Sequence, residues 1–282
     1  MSAPLVSVIV LTKDEEANLP HLLASLEGLD HELFVVDSGS TDRTVEIAKA
    51  AGATVVFHPF ETQAKSLNWA IENLPLRAPW TMRMDADERL TPELVSELAE
   101  TLPNTAVDVK GYWVKCRVYF WRRWIRHGDM YPLWLLRVWR TGAGRFEERQ
   151  MDEHFIIENG RTARLKNDIV DENRKGFSYW ITKHNAYSTR ELLDILGRDT
   201  RKPSYVCLER GKARRRRWAK EMIYWRMPLF IRPFLYFLYR YVVRFGMLDG
   251  LPGFVFHFNQ ALWYRLVIDI KLYEHRATGK KI

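Results

Sequence analysis

Four short apolar runs, each separated from the next by a stretch of helical spacing, fill roughly the first 85 residues, and this alternation constrains the fold more than any other feature. Val6-Ser7-Val8-Ile9-Val10-Leu11 is β-branched and bounded by polar residues, as a buried parallel strand should be. Similar runs recur at Leu33 to Val36, Thr54 to Phe57 and Trp80 to Met84. Between them, Asn18 to Gly28, Thr41 to Ala51 and Thr62 to Asn73 read as helices, each opened by Asn or Thr as a cap. Such a rhythm implies a parallel sheet covered on both faces, with ligands expected where strands end and helices begin.

Further along, Thr91-Pro92-Glu93 is a helix start, with a cap, proline at the first helical position and an acid in the first turn. Gly111 to Phe120 and Met130 to Trp139 are aromatic and β-branched and read as strands that either extend the sheet or form its second half. Helices take over from Gly176: Phe177 to Leu196 has helical apolar spacing, and Gly197 to Pro203 reads as a boundary loop. The expectation is an α/β domain over residues 1–170, with halves 1–105 and 106–170, and a helical region over 171–282.

Charge separates the same regions. Residues 1–200 hold 25 Lys and Arg against 30 Asp and Glu, about −5, and residues 201–282 hold 18 against 5, about +13, so the net +8 arises from the C-terminal third. That third is expected to meet a polyanionic surface, either nucleic acid or anionic lipid. Cys116 and Cys207 are the only cysteines and lack partners at metal spacing, which argues against a disulfide scaffold or zinc site and for a reducing compartment. Leu5 to Leu11 has no basic leader before it and no small-residue cleavage site after it, and reads as a strand rather than a signal peptide.

Acidic residues gather at the ends of the expected strands. Asp85-Ala86-Asp87 follows Trp80 to Met84 directly, and two carboxylates leaving a strand can turn toward one hard cation such as magnesium or manganese. Asp37-Ser38-Gly39-Ser40-Thr41-Asp42 follows the second strand with carboxylates, hydroxyls and backbone amides that suit a nucleotide, or simply a well-capped helix start. Neither the Gly-x-Gly-x-x-Gly spacing of dinucleotide folds nor a P-loop lysine is present, so NAD and phosphate-loop ATP chemistry are not indicated.

Taken together, Val6 to Glu15, Val35 to Asp42 and Asp85-Ala86-Asp87 resemble the opening of family 2 glycosyltransferases of the GT-A fold, over roughly residues 5–165. Ser38 stands where that family usually has a second aspartate. The resemblance implies a nucleotide-diphospho-sugar transferase sheet, with Thr12, Glu15 and Asp37 lining a uridine pocket and Lys65 beneath the base or diphosphate. It further implies that Asp85 faces ribose and metal, and that Asp87 coordinates a magnesium or manganese ion on the diphosphate. Trp124 to Pro132 with Arg137 is similar to lipopolysaccharide-core glycosyltransferases of the WaaE or KdtX type and related exopolysaccharide enzymes; there Arg126 and His127 could approach donor phosphates or acceptor hydroxyls. Inverting transfer needs a carboxylate on the acceptor side. Met151-Asp152-Glu153-His154 supplies Glu153 as that base, with Asp152 as the alternative and His154 as a further metal ligand or an orienting group. Trp180 to Tyr187 places polar groups on one helical face that could close over an acceptor, or simply meet solvent.

In the C-terminal third, Arg214 to Trp218 and then Met222 to Phe245 mix arginines with aromatic and aliphatic residues, and charge interrupts every candidate membrane span. Amphipathic helices in the membrane interface are the expectation, with packing on the catalytic domain or a second subunit as the alternative. No RNA-recognition signature accompanies the basic residues, so nucleic acid is not expected as a partner. The reading is an inverting, metal-dependent hexosyltransferase that uses a UDP-sugar and a lipid-linked or lipid A-core acceptor on the cytoplasmic face of a bacterial inner membrane. The rivals are a sugar nucleotidyltransferase, which normally needs a Gly-rich basic loop that Thr12 to Ala17 does not offer, and a non-enzymatic basic protein that binds RNA or membrane.

Overall fold

The computed structural model describes residues 3–147, 154–197, 218 and 222–279. It divides into two compact units, one formed by Met1–Arg126 with Met130–Gly176 and the other by His127–Asp129 with Phe177–Ile282.

The first unit is built on a nine-stranded mixed sheet. Strands β1 (Val6–Thr12), β2 (His31–Asp37), β3 (Thr54–Phe57) and β4 (Trp80–Asp85) lie parallel in the order β3-β2-β1-β4. Helices α1 (Leu19–Ser25), α2 (Thr44–Ala50) and α3 (Gln63–Asn73) connect them. All of β1 except Leu11 is buried, because covering a parallel sheet on both faces leaves no strand residue a polar side to turn to. Apolar residues divide accordingly: Val8, Val10, Val35 and Met82 pack in one cluster, and Ile9, Phe34, Val36 and Trp139 in the other.

After β4 the chain makes the short β5 (Glu88–Leu90) and α4 (Pro92–Thr101). The sheet then continues through the antiparallel pair β6 (Val109–Phe120) and β8 (Leu133–Arg140), with β8 against β4, β7 (Arg123–Trp124) against β6, and β11 (Arg161–Asp171) parallel to β6. The ribbon of β9 (Gly144–Phe146) and β10 (Phe155–Ile157) stands apart from this sheet.

Two of the expected caps form: Thr62 accepts from the Lys65 N–H at 3.2 Å and Thr91 from the Leu94 N–H at 3.3 Å. The other two do not. Asn18 donates its amide to Glu15 at 2.8 Å and accepts from the Arg174 N–H at 2.8 Å. Thr41 lies in a loop, where its N–H at 2.7 Å and its hydroxyl at 3.1 Å both donate to Asp14, and α2 begins three residues later.

The second unit is helical. Helix α5 (Gly176–Leu196) carries the buried Glu191, which accepts from the Tyr264 hydroxyl and from Arg265, both at 2.8 Å. Helix α6 (Ile231–Leu238) ends in a π-helical turn, Tyr239–Val243, and a single turn at Gly246–Asp249 leads to α7 (Gly250–His257). A second π-helical turn, Phe258–Trp263, passes into α8 (Tyr264–Thr278). The expected boundary loop at Gly197 to Pro203 falls outside the described residues except for Gly197, and Cys207 also lies outside them, while Cys116 is buried.

Candidate active site

Strand register gathers the acidic residues. Thr12 and Asp37 are paired across the ends of β1 and β2, and Leu11 beside Thr12 pairs with Asp85 at the end of β4. Asp37 is buried, and its carboxylate organises the loop that follows it: Oδ1 accepts from the Thr12 hydroxyl at 3.0 Å and from the Ser40 hydroxyl, and Oδ2 accepts from the Gly39 and Ser40 N–H groups at 2.8 Å. A carboxylate has about four acceptor sites, so Thr12 on β1 and the following loop together meet its full capacity. Gly39 turns with φ +86°, a conformation open to glycine without cost.

The loops after β1 and β2 also cap each other. Asp14 accepts from the Thr41 N–H at 2.7 Å, Ser40 accepts from the Asp14 N–H at 2.8 Å, Thr44 from the Glu15 N–H at 2.7 Å, and Asp42 from the Glu16 N–H at 3.1 Å. The bond from Thr41 holds the Asp14 carboxyl below its usual range. Short polar side chains here satisfy backbone groups that neither strand nor helix can reach.

Around Asp85 stand two arginines and an amide. Arg83 lies 3.2 Å from Asp85 Oδ1, Arg137 lies 3.0 Å from Oδ2, and the Gln63 amide donates to Oδ1 at 3.3 Å. Arg137 is buried and also pairs with the buried Glu88, whose other oxygen accepts from the Asp85 N–H at 2.9 Å. Burial pushes the Glu88 carboxyl up to about 7 against the pull of Arg137. Asp87, half-buried on the following turn, accepts from the Asn173 amide at 2.9 Å.

The segment after β11 completes the edge. Lys175 pairs with Glu15 at 2.6 Å; burial raises the Glu15 carboxyl, while its bonds from Lys175 and Asn18 oppose that shift. Nothing in the sequence marked Lys175, Asn173 or Glu88. Arg137 stood in a noted motif, but its two carboxylate partners were not legible.

Other expected residues stand elsewhere. Lys65 is half-exposed on the first turn of α3 and pairs with Glu61 at 2.5 Å. Arg126 is exposed, its guanidinium 4.5 Å from the Trp124 ring centre. His127 belongs to the helical unit, where Asp249 takes its backbone N–H at 2.9 Å and its Nδ1 at 2.7 Å. His154 meets Glu147, with Nδ1 3.2 Å from Oε1. Asp152 and Glu153 lie outside the described residues. On the polar face of α5 the His184 ring stacks on Trp180 with centres 3.5 Å apart, and burial lowers its pKa to about 4, while Thr182 and Asn185 are exposed.

Among the described residues, no group of three or more His, Cys, Asp and Glu side chains surrounds a metal position. A magnesium-like ion commonly takes one or two carboxylates and fills the remaining positions with phosphate and water, so Asp87 with Asp85 is a fitting donor set. Asp87 suits it better, because two guanidinium groups already offset the Asp85 charge.

The model of glycosyl transferase family 2 matches residues 7–174. The chain belongs to this family. The lipopolysaccharide core biosynthesis glycosyltransferase LpsC of Rhizobium meliloti is 28% identical over 285 residues, covering 96% of this chain and 93% of LpsC. An uncharacterized glycosyltransferase of Rickettsia bellii is 26% identical over 288 residues, covering 97% and 89%. The mannosyltransferase PcManGT of Pyrobaculum calidifontis, solved with GDP-Man and Mn2+, superposes with a TM-score of 0.51 at 13% identity, covering 100% of this chain and 89% of that one. The fold is therefore the GT-A type, a mixed sheet flanked by helices, and the protein is a glycosyltransferase.

Proposed function

We propose that this family 2 glycosyltransferase moves a hexose from a UDP-sugar to a lipid-linked or lipid A-core saccharide, with inversion, on the cytoplasmic face of a bacterial inner membrane. The observation that carries the reading is the alignment of Thr12, Asp37 and Asp85 along adjoining strand ends within the family-matched segment. LpsC supports a core-saccharide acceptor, and the GDP-Man and Mn2+ in PcManGT support a nucleoside-diphosphate donor.

Each residue then has a task. Thr12 and Asp37 shape the nucleoside pocket, and Asp85, held by Arg83 and Arg137, faces the ribose. Asp87 with Asp85 would hold a divalent cation, whose charge offsets that of the diphosphate when bound. The acceptor hydroxyl attacks the anomeric carbon as the bond to the diphosphate oxygen breaks and UDP leaves with the electron pair. Its proton passes to the Glu153 carboxylate, or to Asp152 if that residue faces the acceptor. Lys65 and Arg126 keep secondary roles in holding the donor and His154 in orienting the base or the cation, whereas His127, engaged by Asp249 in the helical unit, is given no part in donor binding.

The test is a UDP-sugar panel with manganese or magnesium, read as transfer and as UDP affinity. Asp87→Ala is expected to abolish transfer and weaken UDP binding, whereas Glu153→Gln abolishes transfer and leaves UDP binding intact. Normal turnover by Glu153→Gln would remove the base assignment.

A further inference from the structure

We infer that the hairpin of α6 and α7 enters one leaflet of a lipid bilayer, apolar side outward, rather than lying on the headgroups by its arginines. This deepens the membrane reading above and rests on it for the setting.

The two arms meet through Phe237 and Tyr241 on Phe254, and apart from Arg244 the outward-facing residues of this hairpin are apolar or aromatic. Along the stem, Ile231, Phe234, Leu235 and Leu238 are exposed, and at the tip Val243 is 61%, Leu248 58% and Leu251 70% exposed. Its charges point the other way. Arg232 is 2% exposed and pairs with the fully buried Asp269, whose other oxygen accepts from the Phe230 N–H at 2.9 Å. Arg240 is buried and donates to the Gly128 carbonyl at 2.9 Å, and Asp249 is buried on His127. From Met227 to Phe258, Arg244 is the single exposed charged residue. A water-facing hairpin would be expected to show the reverse distribution, so charge inside with leucine and phenylalanine outside marks an apolar surrounding.

Length and charge choose the occupant. Thirteen residues from Ile231 to Val243 rise about 20 Å, short of the roughly 30 Å of a hydrocarbon core, so the hairpin can enter a leaflet but not cross it. No helix among the described residues is long and apolar enough to cross a membrane. Just before the hairpin in sequence stand Arg210, Lys212, the run Arg214 to Arg217 and Lys220, a basic segment complementary to anionic headgroups. A protein partner would not call for both features, whereas an anionic bilayer does.

The experiment is flotation of the full-length protein with vesicles of phosphatidylglycerol and phosphatidylethanolamine, and separately of phosphatidylcholine. The wild type is expected to float with the anionic vesicles and less with the neutral ones, and the Leu248→Asp/Leu251→Asp double variant is expected to lose at least about tenfold in partitioning. In a second measurement, the fluorescence of a Leu248→Trp variant is expected to be quenched by brominated acyl chains more strongly than that of the wild type. Wild type left in the dense fractions, a double variant that floats as well as wild type, no added quenching in Leu248→Trp, or a lipid-free dimer that the double variant dissolves would each overturn the inference. UDP affinity measured without vesicles separates the two readings: lost flotation with UDP binding intact refutes the hairpin alone, and lost UDP binding with normal flotation refutes the catalytic reading.

Discussion

Asp37, proposed for the nucleoside pocket, shows how a residue can act through what it holds in place. With both oxygens accepting bonds from Thr12, Gly39 and Ser40, its first task is to fix the loop after β2. Asp37→Ala would leave those donors without an acceptor, at a cost of about 2–4 kcal/mol, and UDP binding is expected to fall along with stability. Asp37→Asn, which keeps one acceptor oxygen, should fall between alanine and wild type. Asp87→Ala differs, because Asp87 is half-buried and accepts from the neutral Asn173 amide: UDP affinity should drop with the melting temperature little changed. Equal losses of stability in Asp37→Ala and Asp87→Ala would refute this division of labour.

Among the elements, the tripeptide His127–Asp129 owes its composition to its neighbours in the helical unit. Gly128 has φ +67°, and a Cβ there would lie 2.1 Å from the His257 ring, while the backbone on either side is held by Asp249, Arg240 and the Arg244 carbonyl. Gly128→Ala therefore combines a left-handed backbone with a direct clash, and a loss of roughly 2–4 kcal/mol is expected in urea unfolding of the helical unit. From the sequence this motif reads as a contact for donor phosphates or acceptor hydroxyls, and nothing in it reveals the packing against His257 and Asp249. Strands β1 to β4 and the caps at Thr62 and Thr91 were legible because period, length and cap chemistry are local. Strand β11 was not, since its pairing with β6 shifts register between Arg164 and Asp168 and breaks the alternation that would reveal it. Lys175 on Glu15 and Arg137 on Glu88 were likewise hidden, because each pair is made by residues far apart in the chain that only the folded sheet brings together.

Over the whole molecule, counting basic residues proved a poor guide to which ones face outward. Arg232, Arg240 and Arg265 contribute to the +8, yet Arg232 and Arg240 are buried and Arg265 is held by Glu191. The same inward packing makes the two units answer acid differently. Burial lowers His184 to about 4 and His257 to about 3, from an unfolded value near 6.5. Between these values the unfolded chain binds protons that the folded helical unit refuses, so its stability is full above about pH 6.5 and declines as pH falls toward 3 to 4. His184 alone would account for about 3 kcal/mol at the low end. Glu88 in the α/β unit has the opposite sign: raised to about 7, it binds a proton that the unfolded chain has released, and its effect disfavours folding as pH rises from about 4.5 to 7. Hydrogen exchange at pH 5 and pH 7, corrected for intrinsic rates, should therefore show α5 and α7 losing protection at pH 5 while β4 and β8 hold or gain it. His184→Phe keeps the stack on Trp180 without the titrating ring and should flatten the acid loss in α5; an unchanged slope in that variant would show that His184 does not couple the helical unit to pH.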